Sequence, residues 1–240
     1  MTKVLLTSAA IISSTAAYSE VLPGLWYGVA EVTQVNEVFH ESGDKSVTKD
    51  VKYPFNLQLI LHTDKSGNTK LLREVFVMQT KSDANKQRVL ITDQTKVTNY
   101  EGIVRRGDNK LSAVRFTSPS FDFGTDTSVQ ELVLAGSIDK TNNSTITGSI
   151  TLDKNHPLNP MRHQFNPEHK EGLTVSRNFT ITIKDPVAGK KVKPSQGKTL
   201  LSGVYEETLT GLHKEILKVS GNIQLTRVSN ITKLNSVDGS

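Results

Sequence analysis

Residues 153–171 gather the side chains of this chain best suited to chemistry: Asp153, His156, Pro157, Asn159, Pro160, Arg162, His163, Pro167, Glu168, His169 and Glu171. Histidine titrates near neutral pH and is the commonest metal ligand. His156, His163 and His169, with Glu168, carry the donor types of a three-histidine centre. A divalent metal is the cofactor such a cluster would take, and metal-dependent hydrolysis the reaction it would support. The spacing matches no His-Glu-x-x-His helix, and the prolines oppose any helix across 156–168. A second reading is therefore an Ω-type loop over one end of a sheet, with Arg162 and the histidines bonded to backbone groups. Proline lowers the entropy lost when such a loop is ordered.

Glu206 and Glu207 form a second acidic feature, in Val204-Tyr205-Glu206-Glu207-Thr208. Neighbouring residues of a strand face opposite sides, so the two cannot flank one glycosidic bond as acid and base. One of them can face inward and pair with Arg162, Arg177 or a loop histidine. Other catalytic layouts are missing. There is no Gly-x-Ser-x-Gly elbow, and the stretch from Gly102 to Gly107 has neither the Gly-Lys-Ser/Thr ending of a phosphate loop nor a following helix. The chain has no cysteine, which removes thiolate catalysis, Cys-ligated zinc and thioether haem attachment.

Alternation of apolar and polar residues dominates the elements that must hold these groups. Val175, Arg177, Phe179, Ile181 and Ile183 share one face of a strand, with Ser176, Asn178, Thr180 and Thr182 on the other. Phe55, Leu57, Leu59 and Leu61 alternate the same way. They run into the turn Asp64-Lys65-Ser66-Gly67-Asn68 and a returning strand from Leu71 to Met78, which predicts a β-hairpin over 55–79. A second hairpin is expected from Glu131 to Leu152. Further strands are expected at 24–38, 88–92, 97–104, 111–117, 200–210 and 216–228. Three strands share a glycine, at Gly136, Gly148 and Gly221, which marks bends or close backbone approach. About ten strands without crossover helices predict an all-β fold, either an antiparallel β-sandwich or an up-and-down barrel.

The first twenty residues address the chain to the exterior. Lys3 gives a positive start, Val4 to Ile12 an apolar stretch, and Ser13 to Ser19 a run of small residues. This is the layout of a secretory signal peptide, removed in the mature protein. The expected organisation is a signal peptide at 1–19, one all-β domain at 20–235 and a flexible tail at 236–240. The absence of disulfides in an exported chain points to a bacterial, secreted or periplasmic protein. Net charge is +5. Such a charge favours an acidic polysaccharide or another protein of the cell surface or extracellular space. The lysines are scattered, apart from Lys190-Lys191-Val192-Lys193, so no nucleic-acid partner is expected, and no segment is long enough for a membrane span. Aromatic residues are only 6% of the chain, which argues against a platform of rings for stacking sugars.

Gly24-Leu25-Trp26-Tyr27 resembles the Gly-x-Trp opening of the lipocalins and their calycin relatives. The resemblance implies an up-and-down barrel with Trp26 plugging one end, Arg227 of the last strand packed across it, and a small apolar ligand inside. Over most of 24–234 the chain also resembles an uncharacterised all-β domain of large secreted bacterial proteins. The shared motifs are the Gly-Leu-Trp strand, the His-Pro-x-Asn-Pro-x-Arg-His loop at 156–163 and Tyr-Glu-Glu-Thr-x-x-Gly-Leu at 205–212. The sequence thus predicts a non-enzymatic domain with a binding or structural role outside the cell. A calycin-like carrier and a metal-dependent hydrolase using the 153–171 loop are the alternatives.

Overall fold

The computed structural model describes residues 20–39, 45–80, 83–97, 105–106, 110–111, 113–121, 131–138, 144–156, 159, 161, 172–184, 195–212 and 215–236. The strands are β1 (Gly24–Phe39), β2 (Lys45–Thr63), β3 (Asn68–Leu72), β4 (Glu74–Thr80), β5 (Asp83–Ile91), β6 (Arg105–Arg106), β7 (Lys110–Leu111), β8 (Ala113–Thr117), β9 (Glu131–Ser137), β10 (Thr145–Leu152), β11 (Val175–Ile183), β12 (Leu200–Thr210) and β13 (Ile216–Ser229). Eight of them close an antiparallel barrel in the order β1-β2-β3-β9-β10-β11-β12-β13, with β13 pairing back onto β1. Between the two alternatives left open by the alternation pattern, the chain takes the barrel. Each barrel strand pairs with the next barrel strand along the chain, so the path is an up-and-down meander with one insertion after β3. Residues 1–19, expected to be a signal peptide, and the lysine run 190–193 lie outside the described residues.

The alternation explains the wall. On β11 the apolar residues Val175, Phe179, Ile181 and Ile183 are buried, while Asn178 is exposed. Trp26, Leu59, Leu61, Leu71, Leu134, Ile146, Ile150, Leu201 and Leu225 join them in one continuous interior cluster. At ~1.5–3 kcal/mol for each large apolar side chain removed from water, this cluster is the main source of stability. The β2–β3 turn follows its sequence chemistry. Asp64 Oδ1 accepts from the amides of Ser66 (2.8 Å) and Asn68 (3.0 Å), and Gly67 takes a φ of +85°.

The run Leu71–Met78 is not one returning strand. It breaks at Arg73: β3 continues the barrel, whereas β4 leaves it to pair with β5 and β8 in a separate three-stranded sheet. The reason is that Leu71 faces the barrel interior, while Leu72, Val75 and Val77 belong to a second apolar cluster with Leu25, Ile60 and Leu90. That cluster lies between the outside of the barrel wall and the small sheet. The inserted segment comes back to the point where it left, because Ser118 N donates to Arg73 O at 2.7 Å. The strand expected at 88–92 is the end of the longer β5, and a short 3-10 turn occupies Gln94–Lys96. Residues 98–104 of the strand expected at 97–104 lie outside the described residues.

Two of the repeated glycines have visible geometric causes. Gly221 sits opposite Val32, next to an irregularity in β1 between Val32 and Gln34, and a Cβ there would lie 1.9 Å from Glu31 O. The strands approach closely where the wall coils. Gly148 faces the interior, where a Cβ would lie 2.3 Å from the Phe179 ring. That ring is held by Phe121 and Tyr205, at centroid distances of 5.5 and 6.2 Å, and cannot swing aside. Gly148→Ala should therefore lower stability by about 1–3 kcal/mol in urea unfolding, through overpacking. Phe179→Leu in the same chain should recover part of that loss.

Candidate functional site

The interior of the barrel is not wholly apolar. In the register of β11 and β12, Phe179 lies opposite Glu207 and Ile181 opposite Tyr205, which puts Arg177, Glu207 and Tyr205 on one inward face. Glu207 is 4% exposed, whereas its neighbour Glu206 faces solvent. Arg177 grips the Glu207 carboxylate with two nitrogens, Nε to Oε1 at 2.5 Å and Nη2 to Oε2 at 3.2 Å. The Tyr205 hydroxyl donates to Oε2 at 2.8 Å.

The remaining contacts come from the end of the insertion. Arg177 Nη1 donates to Ser120 O at 2.6 Å, and the guanidinium lies 4.6 Å from the centre of the Phe121 ring. Phe121 is fully buried and packs edge-on to Tyr205. The Ser120 hydroxyl accepts from the amide of Gln58, and the Ser118 hydroxyl donates to the Gln58 carbonyl. Residues 118–121 are thus fastened to β2 and drop an aromatic ring into the barrel. Burial pushes the Tyr205 phenol upward, and the adjacent Glu207 carboxylate pushes it the same way. For Arg177, burial acts against the charge, but the hydrogen bonds and charge of Glu207 outweigh it and hold the guanidinium above its ordinary value. Chemically this is a closed ion pair. Both carboxylate oxygens are occupied, and its partners are themselves bonded.

Trp26 and Arg227 sit at the end of the barrel where β1 begins. Trp26 is fully buried and lies opposite Arg227 in the β1–β13 register. The Arg227 guanidinium donates to Pro23 O, through Nε at 3.0 Å and also through Nη2. It therefore ties the entering chain across the base of the last strand. Leu22 N donates to Gly197 O at 2.7 Å, joining the same end to the turn before β12. Partial burial draws the Arg227 guanidinium below its usual range.

At the opposite end lies the base of the 153–171 loop. Asn159, which is buried, is its fastener. Its side-chain nitrogen lies within hydrogen-bond distance of three carbonyls, those of Leu152 (3.2 Å), Asp153 (2.8 Å) and Leu173 (2.7 Å). Its oxygen accepts from Met161 N at 2.8 Å. His156 is half-buried in the turn after β10, and Met161 packs on the interior cluster. Arg162, His163, Glu168 and His169 lie outside the described residues, as does His213. Among the described residues there is no group of three metal-ligating side chains.

Glu206 opens onto the outside of the wall. There a polar groove of about 400 Å³ runs across β1, β13, β12 and β11, lined by Gln34, Asn36, Asn178, Thr180, Glu206 and Lys218 among others. The adjacent pair of glutamates is therefore split between the interior and this groove.

The sequence marks Arg177, beside Arg162 and the loop histidines, as a partner for an inward glutamate, but gives no role to Phe121, Tyr205 or Asn159. A ring at the end of a polar insertion carries no periodic signal. Asn159 was legible only as part of the Asn-Pro step. Arg177→Met should cost about 3–5 kcal/mol in chemical denaturation, because it leaves a buried carboxylate unpaired. Arg177→Met with Glu207→Leu should regain most of that loss. A double variant as unstable as the single one would contradict the ion-pair account.

No protein-family model matches the chain, and no curated protein matches it significantly.

Proposed function

We propose that the chain is an exported, non-enzymatic binding domain that works at the cell exterior through the outer faces of its barrel. The observation that carries this reading is the engagement of the inward charges. Arg177 and Glu207 are bonded to each other, to Tyr205 and to Ser120, and are packed under Phe121. Glu207 is 4% exposed and its two oxygens accept from Arg177 and Tyr205, which supports a structural ion pair over a carboxylate presented to a substrate. The hydrogen-bonding side chains that face solvent line grooves on the outer wall instead. Among the described residues, no helix is long and apolar enough to cross a membrane. The charge of +5 suits an acidic partner, and the layout of residues 1–19 supports the exported address.

A calycin-like carrier is the second reading, favoured by one specific observation. The eight-stranded meander places Trp26 at one end, with Arg227 opposite it. A barrel of this strand number is just wide enough either to fill with side chains or to hold one small ligand. Trp26 is the single tryptophan and reports directly on that end. The purified protein, applied to cell-surface and extracellular material of its own host, should be retained in a salt-sensitive manner. Its tryptophan fluorescence should stay unchanged when apolar ligands are titrated in. Saturable fluorescence change with a fatty acid or retinoid, without retention on surface material, would replace the binding-domain reading with the carrier.

A further inference from the structure

A second outer groove lies at the Trp26 end, between the Asp64–Asn68 turn and the segment that follows β13. Its volume is about 480 Å³, within the range of ligand clefts. The segment 232–236 forms one bank. It is pinned by Asn235, whose amide donates to Leu90 O at 2.7 Å and whose Oδ1 accepts from Thr92 N at 3.0 Å. The wall is the outer face of β2, β3 and β9, with His62, Lys70, Glu131 and the 70%-exposed Val133.

The groove's two acids are already in use. Asp64 holds its own turn through Ser66 and Asn68. Glu131 accepts from Lys70 Nζ (2.6 Å), Thr92 Oγ1 (2.5 Å) and Asn235 Nδ2 (3.1 Å). Burial pushes the Glu131 carboxyl upward, but these bonds outweigh it and keep it below the usual range. The groove's two exposed cations are not in use. Lys65 on the turn and Lys233 on the opposite bank pair with no described residue. Thr232 is 8% exposed, and its Oγ1 has no hydrogen-bond partner among the described residues. A buried hydroxyl without a partner carries a desolvation cost of about 1–3 kcal/mol, which a ligand oxygen would remove. His62 donates from Nε2 to Ile231 O at 3.1 Å, leaving the Nδ1 lone pair as an acceptor. Burial draws its pKa down and keeps the ring neutral.

We propose that this groove binds a carboxylate-bearing sugar of an acidic polysaccharide, an inference that rests on the binding-domain reading above. Lys65 and Lys233 take the carboxylate from two sides. Thr232 and the His62 ring meet sugar hydroxyls, and Val133 supplies an apolar patch for the C–H face. A neutral sugar would leave both lysines unpaired, so the charge decides the class of ligand.

The test uses the full protein with a short oligogalacturonate and its methyl ester, which is the same sugar without charge, by isothermal titration calorimetry. Wild type should bind the acid and not the ester, with affinity falling as salt rises. Lys65→Ala with Lys233→Ala should weaken binding roughly tenfold or more, as expected for the loss of two charge-assisted contacts. Thr232→Val should also weaken binding, without lowering Tm, since it removes a hydroxyl that has no partner among the described residues. Lys184→Ala, at an exposed lysine that lines neither groove, should change nothing. Equal binding of acid and ester, or unchanged affinity in both groove variants, would overturn the proposal. Retention on host surface material without any oligogalacturonate binding would overturn it too, while leaving the binding-domain reading in place.

Discussion

A carboxylate inside a β-barrel cannot stay charged without a cation and hydrogen bonds around it. Glu207 is such a carboxylate, and much of the fold answers to it. Arg177 must stand two positions from Phe179 on the neighbouring strand, and Tyr205 two positions before Glu207, so that all three face inward together. The guanidinium still has a nitrogen and a face to satisfy. Ser120 O and the Phe121 ring supply both. The chain must therefore return from its inserted sheet to the barrel, and the bonds from Ser118 and Ser120 to Gln58 fix where it does so. Within the wall, Gly148 stays side-chain-free because Phe179 is held against this same group.

How much of this could be read in advance differs from element to element. β11 follows directly from alternation, because its apolar residues are packed while Asn178 on the other face is wet. The hairpin turn at Asp64 was legible because aspartate, glycine and asparagine each have a local bonding reason to be there. The break at Arg73 was not. Leu71 to Met78 is rich in apolar residues, and only the clusters show that Leu71 is buried inside the barrel while Leu72, Val75 and Val77 are buried against its outer side. The inward direction of Glu207 followed neither from propensity nor from the pair itself. It depends on Arg177 being available across the sheet, a long-range fact. His62, Thr232 and Glu131 raised no signal because residues distant in the chain are what make them a group.

The division between a packed interior and wet outer grooves gives the molecule two kinds of polar residue. Those inside, Arg177, Glu207 and Tyr205, are bonded to each other and hold the barrel. Those outside, around Glu206 on one wall and around Thr232 on another, are backed by a rigid sheet. A rigid scaffold lets exposed side chains meet a partner with little further ordering cost. The closed end beneath Trp26, tied by Arg227 to Pro23, serves the same rigidity.

In the proposed division of labour the interior supports the fold while the exterior carries recognition. This division is tested most directly by exchanging the interior pair and measuring binding. The Arg177→Met, Glu207→Leu variant, shown to be folded by circular dichroism, should be retained on host surface material as tightly as the wild type. A folded variant that has lost its binding would contradict the account and place the recognition site inside the barrel.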